Sequence, residues 1–269
     1  MPKVSVVMSV YNGERFLREA IDSILAQTFT DWEFIVVDDG STDATPAILR
    51  SYGDRLRVHT QSNKGLTRAL NIGLSLARGE YIARMDADDI AEPERLEMQV
   101  AYLDAHPQVG LVGTAYYEID EQGNILRTVT MPLEDAVIRR SLAKFNPFMH
   151  SSVMLRHILI DRFGGYDDGA LYQHNSEDYE LWIRLASHTQ LANLSTPLMR
   201  RRVHTGSLVV TNDDRRLRAE VVLRARAIRA FGLPPWYWWY VFQPAIALRL
   251  PPALRTLLRR IKYGGRAYR

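Results

Sequence analysis

The feature that most constrains this fold is a regular alternation of short apolar runs with amphipathic segments over residues 4–105. The β-branched run at 4–10 predicts a strand, and apolar residues at helical spacing from Phe16 to Leu25 predict a helix behind it. Because strands that alternate with helices form parallel sheets covered on both faces, the pattern predicts an α/β fold. The alternation continues with strands expected near 33–38, 56–60 and 80–85 and helices near 44–52 and 66–77.

The second half of the chain departs from strict alternation. A Pro-started helix at 93–105 precedes a strand near 109–118 and a hairpin at 121–124, so antiparallel strands are expected here. The remaining predicted elements are a helix near 133–143, a strand at 151–155, a helix at 177–187, strands up to about 202 and a helix at 217–231. We expect one domain over 1–205, made of halves 1–105 and 106–205, and a basic, aromatic helical extension over 206–269.

The composition excludes several kinds of chemistry. The chain contains no cysteine, so disulfides, thiolate metal sites and a thiol nucleophile are absent. For a chain of 269 residues this is consistent with a reducing compartment. The run at 4–10 is also too short and too β-branched to be the core of a signal peptide. We therefore expect a cytoplasmic protein.

Carboxylates follow two of the predicted strands directly, at the edge where open α/β sheets bind their ligands. Asp38 and Asp39 end the strand near 33–38, and Asp86, Asp88 and Asp89 end the strand at 80–85. A single Asp is common in turns and caps, whereas clustered carboxylates repel one another and need a compensating cation. Oxygen ligands of this kind suit Mg²⁺ or Mn²⁺, which bridge to substrate phosphates.

Several other nucleotide and hydrolase motifs are absent from the chain. No GxGxxG follows a predicted strand, and the chain has no GxxxxGK[ST] loop and no GxSxG elbow. Phosphates, if bound, are therefore expected to be held mainly through the metal.

Three segments in order resemble the nucleotide-binding half of family 2 glycosyltransferases of the GT-A fold. They read VSVVMSVYNGERFLREAIDSILAQTF, WEFIVVDDGSTDAT and NKGLTRALNIGLSLARGEYIARMDADD, and the resemblance covers about residues 3–105. It implies a Rossmann-like, mostly parallel sheet with helices on both faces, followed here by the C-terminal extension. It also implies inverting, Mn²⁺- or Mg²⁺-dependent transfer from a nucleotide sugar to a hydroxyl of a carbohydrate or lipid-linked acceptor, in the synthesis of cell-surface polysaccharide or glycolipid.

The resemblance assigns roles on the nucleotide side. Asp39 corresponds to the residue that binds a uracil base, which makes a UDP-sugar the expected donor. Asp86 and Asp88 form the DxD motif, with Asp88 the expected direct metal ligand. The other residues assigned to this side are Ser9, Tyr11, Glu14, Asn63, Gly65 and Ala87.

The acceptor side resembles the family more thinly. Ser176-Glu177-Asp178 is similar to its ED motif, so that Asp178 would be the catalytic base that deprotonates the acceptor hydroxyl. From the residues alone, Glu177, Asp178 and Glu180 could equally supply negative charge to a helix N-terminus.

Three further residues carry assignments by the same resemblance. Arg202-Val203-His204-Thr205-Gly206-Ser207 is similar to an R-x-H-x-x-S segment that closes over the diphosphate, which makes His204 a candidate ligand of the metal or the diphosphate. A structural role for His204 is the equal alternative. Together with Glu177, His150 and Trp182 are assigned to the acceptor pocket, with a core position as the equal alternative for His150 and Trp182.

Two other classes of protein remain open at this stage. A sugar-phosphate nucleotidyltransferase also binds metal and nucleotide on an α/β sheet, but it would normally have a Gly-rich basic loop after the first strand, where this chain reads SVYNGE. The second class is a non-catalytic module that binds a membrane or nucleic acid through the basic tail, on a degenerate fold.

The sequence of the C-terminal extension indicates that a membrane surface is a partner. Residues 200–269 hold 16 Lys or Arg against three acids, and 236–242 read WYWWYVF, an aromatic cluster of the kind found at lipid headgroups. The uncharged stretch 233–248 is too short to span a bilayer, and 254–261 has the spacing of a basic amphipathic helix. We expect 233–269 to dock on the anionic inner face of the cell membrane, without a nucleic-acid partner. Packing on the catalytic domain or a homo-oligomer interface is the open alternative.

Overall fold

The computed structural model of the protein describes residues 1–169, 176–204 and 214–250. The strands among these residues are β1 (Val4–Val10), β2 (Trp32–Asp38), β3 (Arg57–Thr60), β4 (Tyr81–Asp86), β5 (Ile90–Ala91), β6 (Val109–Ile119), β7 (Ile125–Val129), β8 (Met154–Arg156) and β9 (Gln190–Arg202). The helices are α1 (Leu17–Leu25), α2 (Thr45–Ser51), α3 (Leu66–Leu76), α4 (Arg95–Ala105), α5 (Asp135–Leu142), α6 (His157–Phe163), α7 (Glu177–Ala186), α8 (Asp214–Ala230) and α9 (Trp239–Ala247).

The strands form one sheet whose first half is parallel. In the order β3-β2-β1-β4-β8-β6-β9-β5, the first four strands run parallel, as the alternation of the sequence predicted. β8 is antiparallel to both β4 and β6, whereas β6 and β9 are parallel. β7 pairs with β6 across the hairpin predicted at 121–124. The second half of the sheet is therefore mixed.

Each face of the sheet is covered by a hydrophobic core. Neighbouring residues of a strand point to opposite faces, so a buried strand contributes side chains to both cores. Val6 and Met8 of β1 pack into one core with α1, α2 and α4. Val7 belongs to the other core, which also contains Trp182 of α7 and Val241 of α9. The predicted α/β architecture with helices on both faces is confirmed.

Helix α3 lies against β1 at a glycine. A Cβ added at Gly73 would be 2.4 Å from Cγ1 of Val7, and Val7 itself is 1% exposed. The close approach of this helix to the sheet therefore depends on the missing side chain.

Some element boundaries differ from the prediction. In the segment expected to be a strand at 151–155, His150–Ser152 forms a 3₁₀ turn and only Met154–Arg156 is strand. The strands expected up to 202 are a single long strand, β9. Neither α6 nor the short β5 was predicted. β5, with two residues, is too short to leave a periodic pattern in the sequence.

The first part of the C-terminal extension packs on the rest of the chain. Helix α8 agrees with the helix predicted at 217–231, and its Leu223 and Ile228 lie in the same core as Trp182. The basic amphipathic segment predicted at 254–261 lies outside the described residues. Among the helices that are described, none combines the length and the apolar character needed to cross a bilayer.

Candidate active site

The polar residues that end the parallel strands meet at one edge of the sheet. Ser9 of β1 is paired with Asp86 of β4, and Val10 is paired with Asp38 of β2. Asp39 follows directly, and its N–H donates to the carbonyl of Val10 at 2.9 Å. Ser9, Asp39 and Asp86 are thereby brought together as the sequence predicted.

Asp39 is the centre around which the loop before α3 is built. Its Oδ1 accepts hydrogen bonds from Gln61 Nε2 at 2.6 Å and from the N–H of Lys64 at 2.9 Å, and its Oδ2 accepts from the N–H of Gly65 at 2.8 Å. Gly65 has a φ of 90°, a backbone conformation that favours glycine. The side chain of Asn63 is exposed at the tip of this loop. Asp39 therefore fixes the segment that the sequence assigned to the flank of the base.

The loop after β1 presents one exposed ring and one capping carboxylate. Tyr11 is 51% exposed, which leaves its ring free to contact a ligand. Glu14 Oε2 accepts a hydrogen bond from the N–H of Ala44 at 2.8 Å, and the N–H of Glu14 donates to Asp43 Oδ2 at 3.0 Å. Glu14 thus joins this loop to the start of α2, and any contact with a nucleotide would use its remaining acceptor capacity.

The carboxylates after β4 form a cluster whose chemistry fits a hard divalent cation. Oxygens of Asp86, Asp88 and Asp89 lie within 4.8 Å of one another. Burial raises the pKa of both Asp86 and Asp89, and repulsion from Asp88 raises it further. Mutual repulsion of this kind is relieved when a cation binds between the carboxylates. The residues present therefore fit Mg²⁺ or Mn²⁺.

His204 lies beside this cluster, as the sequence predicted. Its Nε2 is 2.9 Å from Asp88 Oδ2, and its ring packs against Phe16 with the centroids 5.1 Å apart. A neutral imidazole at this distance from a carboxylate can share a metal ion with it. The following residues of the R-x-H-x-x-S segment, from 205 onward, lie outside the described residues.

Arg202 holds the end of β9 against the acidic loop. Its backbone N–H donates to Asp89 Oδ1 at 3.0 Å, and its Nε donates to the carbonyl of Asp88 at 3.1 Å. The guanidinium is 1% exposed and pairs with Glu19 at 2.6 Å. These contacts place His204, two residues later, next to the carboxylates.

The second group of site residues lies at the start of α7. Asp178 is half-buried, and its Oδ2 accepts a hydrogen bond from Asn146 Nδ2 at 2.7 Å. Burial, and secondarily the charge of Glu177, raises the pKa of Asp178 to about 7. Glu177 is 3% exposed and accepts a hydrogen bond from the N–H of Ser176. Asp178 therefore has the proton affinity of a base that works near neutral pH.

The aromatic residues assigned to the acceptor pocket lie one behind the other. His150 Nε2 is 2.8 Å from the hydroxyl of Tyr166, and burial lowers the pKa of His150 well below its usual value. Trp182 packs edge-on against His150 but is 0% exposed. Trp182 therefore cannot contact an acceptor directly. Its indole belongs to the core behind His150, the alternative position that the sequence left open.

The sequence analysis missed Arg84, whose charge acts on both groups, and also Asn146 and Tyr166, which contact Asp178 and His150. Arg84 is 3% exposed, pairs with Asp86, and its charge also acts on the pKa of Asp178 and of His150. The sequence did contain a signal for Arg84, since a charged residue inside the apolar run EYIARM needs a partner once it is buried. Asn146 and Tyr166 lie outside any periodic element, and no pattern in the sequence identified them.

Comparison with known proteins identifies relatives over most of the chain. Residues 5–177 match the family described as Glycosyl transferase family 2. The chain is 41% identical over 192 residues to EpsE of Bacillus subtilis (strain 168), covering 68% of this chain and 66% of the relative. It is 36% identical to the amylovoran biosynthesis glycosyltransferase AmsE of Erwinia amylovora, covering 77% of each. The chain thus spans about two thirds of the length of several curated relatives.

Solved structures share the fold at lower identity. S. aureus TarS 1–349 in complex with UDP-GlcNAc superposes with a TM-score of 0.72 at 20% identity, covering 93% of this chain and 77% of that chain. The mannosyltransferase PcManGT from Pyrobaculum calidifontis, in complex with GDP-Man and Mn²⁺, gives a TM-score of 0.63 at 24% identity, covering 98% and 76%. These likenesses establish the GT-A fold.

Proposed function

This chain belongs to glycosyl transferase family 2, and from that premise we propose that it is a metal-dependent, inverting enzyme that transfers a sugar from a UDP-sugar to an acceptor hydroxyl. The observation that carries the proposal is that one buried arginine acts on the carboxylates of two sites. A carboxylate cluster suited to a diphosphate-bridging cation is linked through the buried Arg84 to a half-buried carboxylate with the pKa of a general base.

The family match also bears on the two other classes considered from the sequence. A sugar-phosphate nucleotidyltransferase and a non-catalytic binding module both lose support, because the matched region spans more than half of the chain and includes the acidic cluster. Relatives named for amylovoran and O-antigen biosynthesis support a role in cell-surface polysaccharide or glycolipid synthesis.

On the donor side, the chain's own residues bind and orient the nucleotide. Tyr11 follows β1 and Asn63 lies in the loop bonded to Asp39, and both are exposed, which supports a base pocket there. Asp39 retains acceptor capacity for the N–H of a uracil, and the UDP bound by TarS supports uridine as the base. Asp86, Asp88 and His204 would hold Mn²⁺ or Mg²⁺, which supplies positive charge beside the leaving diphosphate.

On the acceptor side, Asp178 is the residue that moves a proton. It would accept the proton of the acceptor hydroxyl as that oxygen attacks the anomeric carbon from the face opposite the diphosphate, which gives inversion. Asn146 orients the carboxylate from one side. Burial and, secondarily, the charge of Glu177 raise the pKa of Asp178 to about 7, and His150 is available to contact the acceptor.

We further propose that the C-terminal extension docks on the anionic inner face of the membrane, where a lipid-linked acceptor would be presented. Trp236, Trp239, Phe242 and Ile246 are 71%, 60%, 54% and 52% exposed. The next 19 residues, 251–269, carry six Lys or Arg and no acid. Exposed aromatics beside excess positive charge match a headgroup surface.

The proposed function is tested by thermal shift with UDP-, GDP-, TDP- and CMP-sugars, each with and without Mn²⁺. A ligand that binds only the folded protein raises the melting temperature, so a UDP-sugar with Mn²⁺ should give the largest rise. Asp88→Asn should weaken binding of Mn²⁺ with the UDP-sugar by at least about tenfold, because a ligand of the cation is lost.

The matched control is Asp54→Asn, which removes an exposed carboxylate just before β3, at the opposite end of that strand from its carboxyl end, and should behave as the unchanged protein. A panel in which no UDP-sugar stabilises the protein would refute the donor assignment. An Asp88→Asn variant that keeps full Mn²⁺ dependence would refute the metal assignment.

A further inference from the structure

Helix α7 carries a buried carboxylate that is shared between two arginines. Glu180 lies two residues after Asp178 and is 2% exposed. Arg226 Nη1, on α8, donates to Glu180 Oε1 at 2.7 Å, and Arg184 Nη2 donates to Oε2 at 2.9 Å. A buried carboxylate requires such partners to remain charged. Helix α8 therefore supplies one of the two arginines that pair with Glu180.

Arg184 extends the network to the acceptor side. Its Nη1 donates to the carbonyl of Gly164 at 3.0 Å, and its Nη2 donates to the carbonyl of Gly165 at 2.5 Å. The next residue along the chain is Tyr166, whose hydroxyl contacts His150. One guanidinium thus connects the helix of Asp178 to the turn that carries Tyr166.

Helix α8 is rigidly seated, so it can hold α7 at a fixed position. Ala219, Leu223 and Ala227 are each 0% exposed and belong to the core that contains Trp182. Asp178 itself has a side-chain hydrogen-bond partner in Asn146, and its other oxygen accepts from the N–H of the next residue of its own helix. The position of the Asp178 carboxylate therefore depends on the position of α7.

We propose that Arg226 is a positioning residue that, through Glu180 and Arg184, sets the helix of Asp178 and the turn of Tyr166. The assignment of a catalytic effect rests on the proposed function, because it acts through the base. Without Arg226, the one contact that Glu180 Oε1 keeps among the described residues is with Arg184 Nε at 3.3 Å. Arg184 then shifts toward the carboxylate and weakens its bonds to the turn. The carboxylates after β4 have no contact with Arg226 and keep their arrangement.

The kinetic test compares Arg226→Gln with Arg218→Gln, a matched loss of charge at an exposed position of the same helix. The rate of UDP release, with water as the acceptor of the sugar, is measured against the concentration of the UDP-sugar that stabilises the protein with Mn²⁺. Arg226→Gln should lower kcat about tenfold, because a small misplacement of a catalytic group has a large effect on rate. The donor KM should stay unchanged, and Arg226→Lys should recover most of the loss. A kcat equal to that of Arg218→Gln, or a loss confined to KM, would overturn the proposal.

Amide hydrogen exchange separates a failure of this proposal from a failure of the proposed function. Arg226→Gln should accelerate exchange of the Glu180 and Leu181 amides about tenfold while the amides of β1 keep their protection. Unchanged exchange in α7, or equal acceleration in β1, would overturn the positioning role. If the wild-type protein turns over no UDP-sugar, the function assignment is lost, and exchange in α7 alone still decides whether Arg226 holds this helix.

Discussion

As the proposed base, Asp178 has to combine two properties that act in opposite directions. It must be ionised to accept a proton, and it must bind that proton strongly enough to remove it from a hydroxyl. Burial and the neighbouring Glu177 raise its pKa to about 7, while the hydrogen bond from Asn146 stabilises the ionised form. The residue is thereby adjusted to neutral pH.

The pH dependence of transfer follows from this pKa. Because Asp178 acts when deprotonated, kcat/KM should reach its plateau above about pH 7 and fall about tenfold for each pH unit below it. Asn146→Ala should move this acid limb to higher pH, since it removes a hydrogen bond to the charged form. Asp178→Asn should abolish transfer while calorimetry shows unchanged binding of the UDP-sugar. A flat profile across pH 7, or poor donor binding by Asp178→Asn, would contradict the assignment.

Individual residues of the site differ in how far the sequence could predict them. Asp86 and Asp88 were predictable because they follow an apolar strand directly and the strand order brings them to the ligand-binding edge. The burial of Trp182 was not predictable, since helical spacing is the same for a core ring and a pocket ring. Asn146 lies in an irregular segment, and its contact with Asp178 spans 32 residues of sequence.

At the level of elements, the contact between α3 and β1 reverses the effect that a Gly→Ala substitution in a helix usually has on stability. Gly→Ala within a helix usually stabilises a protein, by about 1 kcal/mol. At Gly73, however, the added methyl group would meet Val7 Cγ1 at 2.4 Å, and Val7 is a buried, β-branched residue that has little freedom to move.

We therefore predict that Gly73→Ala lowers the free energy of unfolding by about 1 to 3 kcal/mol, the usual effect of overpacking a core. Ser75→Ala, at an exposed position of the same helix, is the matched control and should be neutral or slightly stabilising. Urea denaturation of both variants measures the difference. Equal or greater stability of Gly73→Ala would show that the helix can move away from the sheet at no cost.

The elements of the first half were predicted well and those of the second half less well, for a physical reason. β1, β2 and β4 are buried on both faces, so each leaves a continuous apolar run. β9 crosses several environments, and its sequence alternates buried and exposed residues irregularly, in step with the register shifts of its pairing with β6. Such a strand has no single period to detect.

For the whole molecule, the C-terminal aromatic residues divide into a face that packs and a face that is exposed. Tyr237 and Val241 lie in the second core, whereas Trp239 and Phe242 are largely exposed. Deleting the extension would therefore damage the core as well as the proposed membrane contact. Point substitutions on the exposed face separate the two effects.

We predict that the wild-type protein co-sediments with vesicles of phosphatidylcholine and phosphatidylglycerol but not with phosphatidylcholine alone. The double variant Trp239→Ser with Phe242→Ser should bind the anionic vesicles at least about tenfold more weakly, through loss of buried apolar area. Ile125→Ser with Leu126→Ser, at exposed apolar residues of β7, is the matched control and should bind normally. Equal sedimentation of both double variants, or binding that ignores lipid charge, would eliminate the docking proposal.

The second core contains Val7 of β1 and Val241 of α9, so it cannot close until both of these segments have been synthesised. During synthesis the N-terminal strands leave the ribosome first and can pair while α8 and α9 are still enclosed. The nucleotide edge can thus form on a nascent chain whose α7 still lacks Arg226 and the rest of α8. Contacts between such distant segments are also slow to form, because closing a long loop costs entropy. The contacts that we propose to position Asp178 therefore form after those of the nucleotide edge.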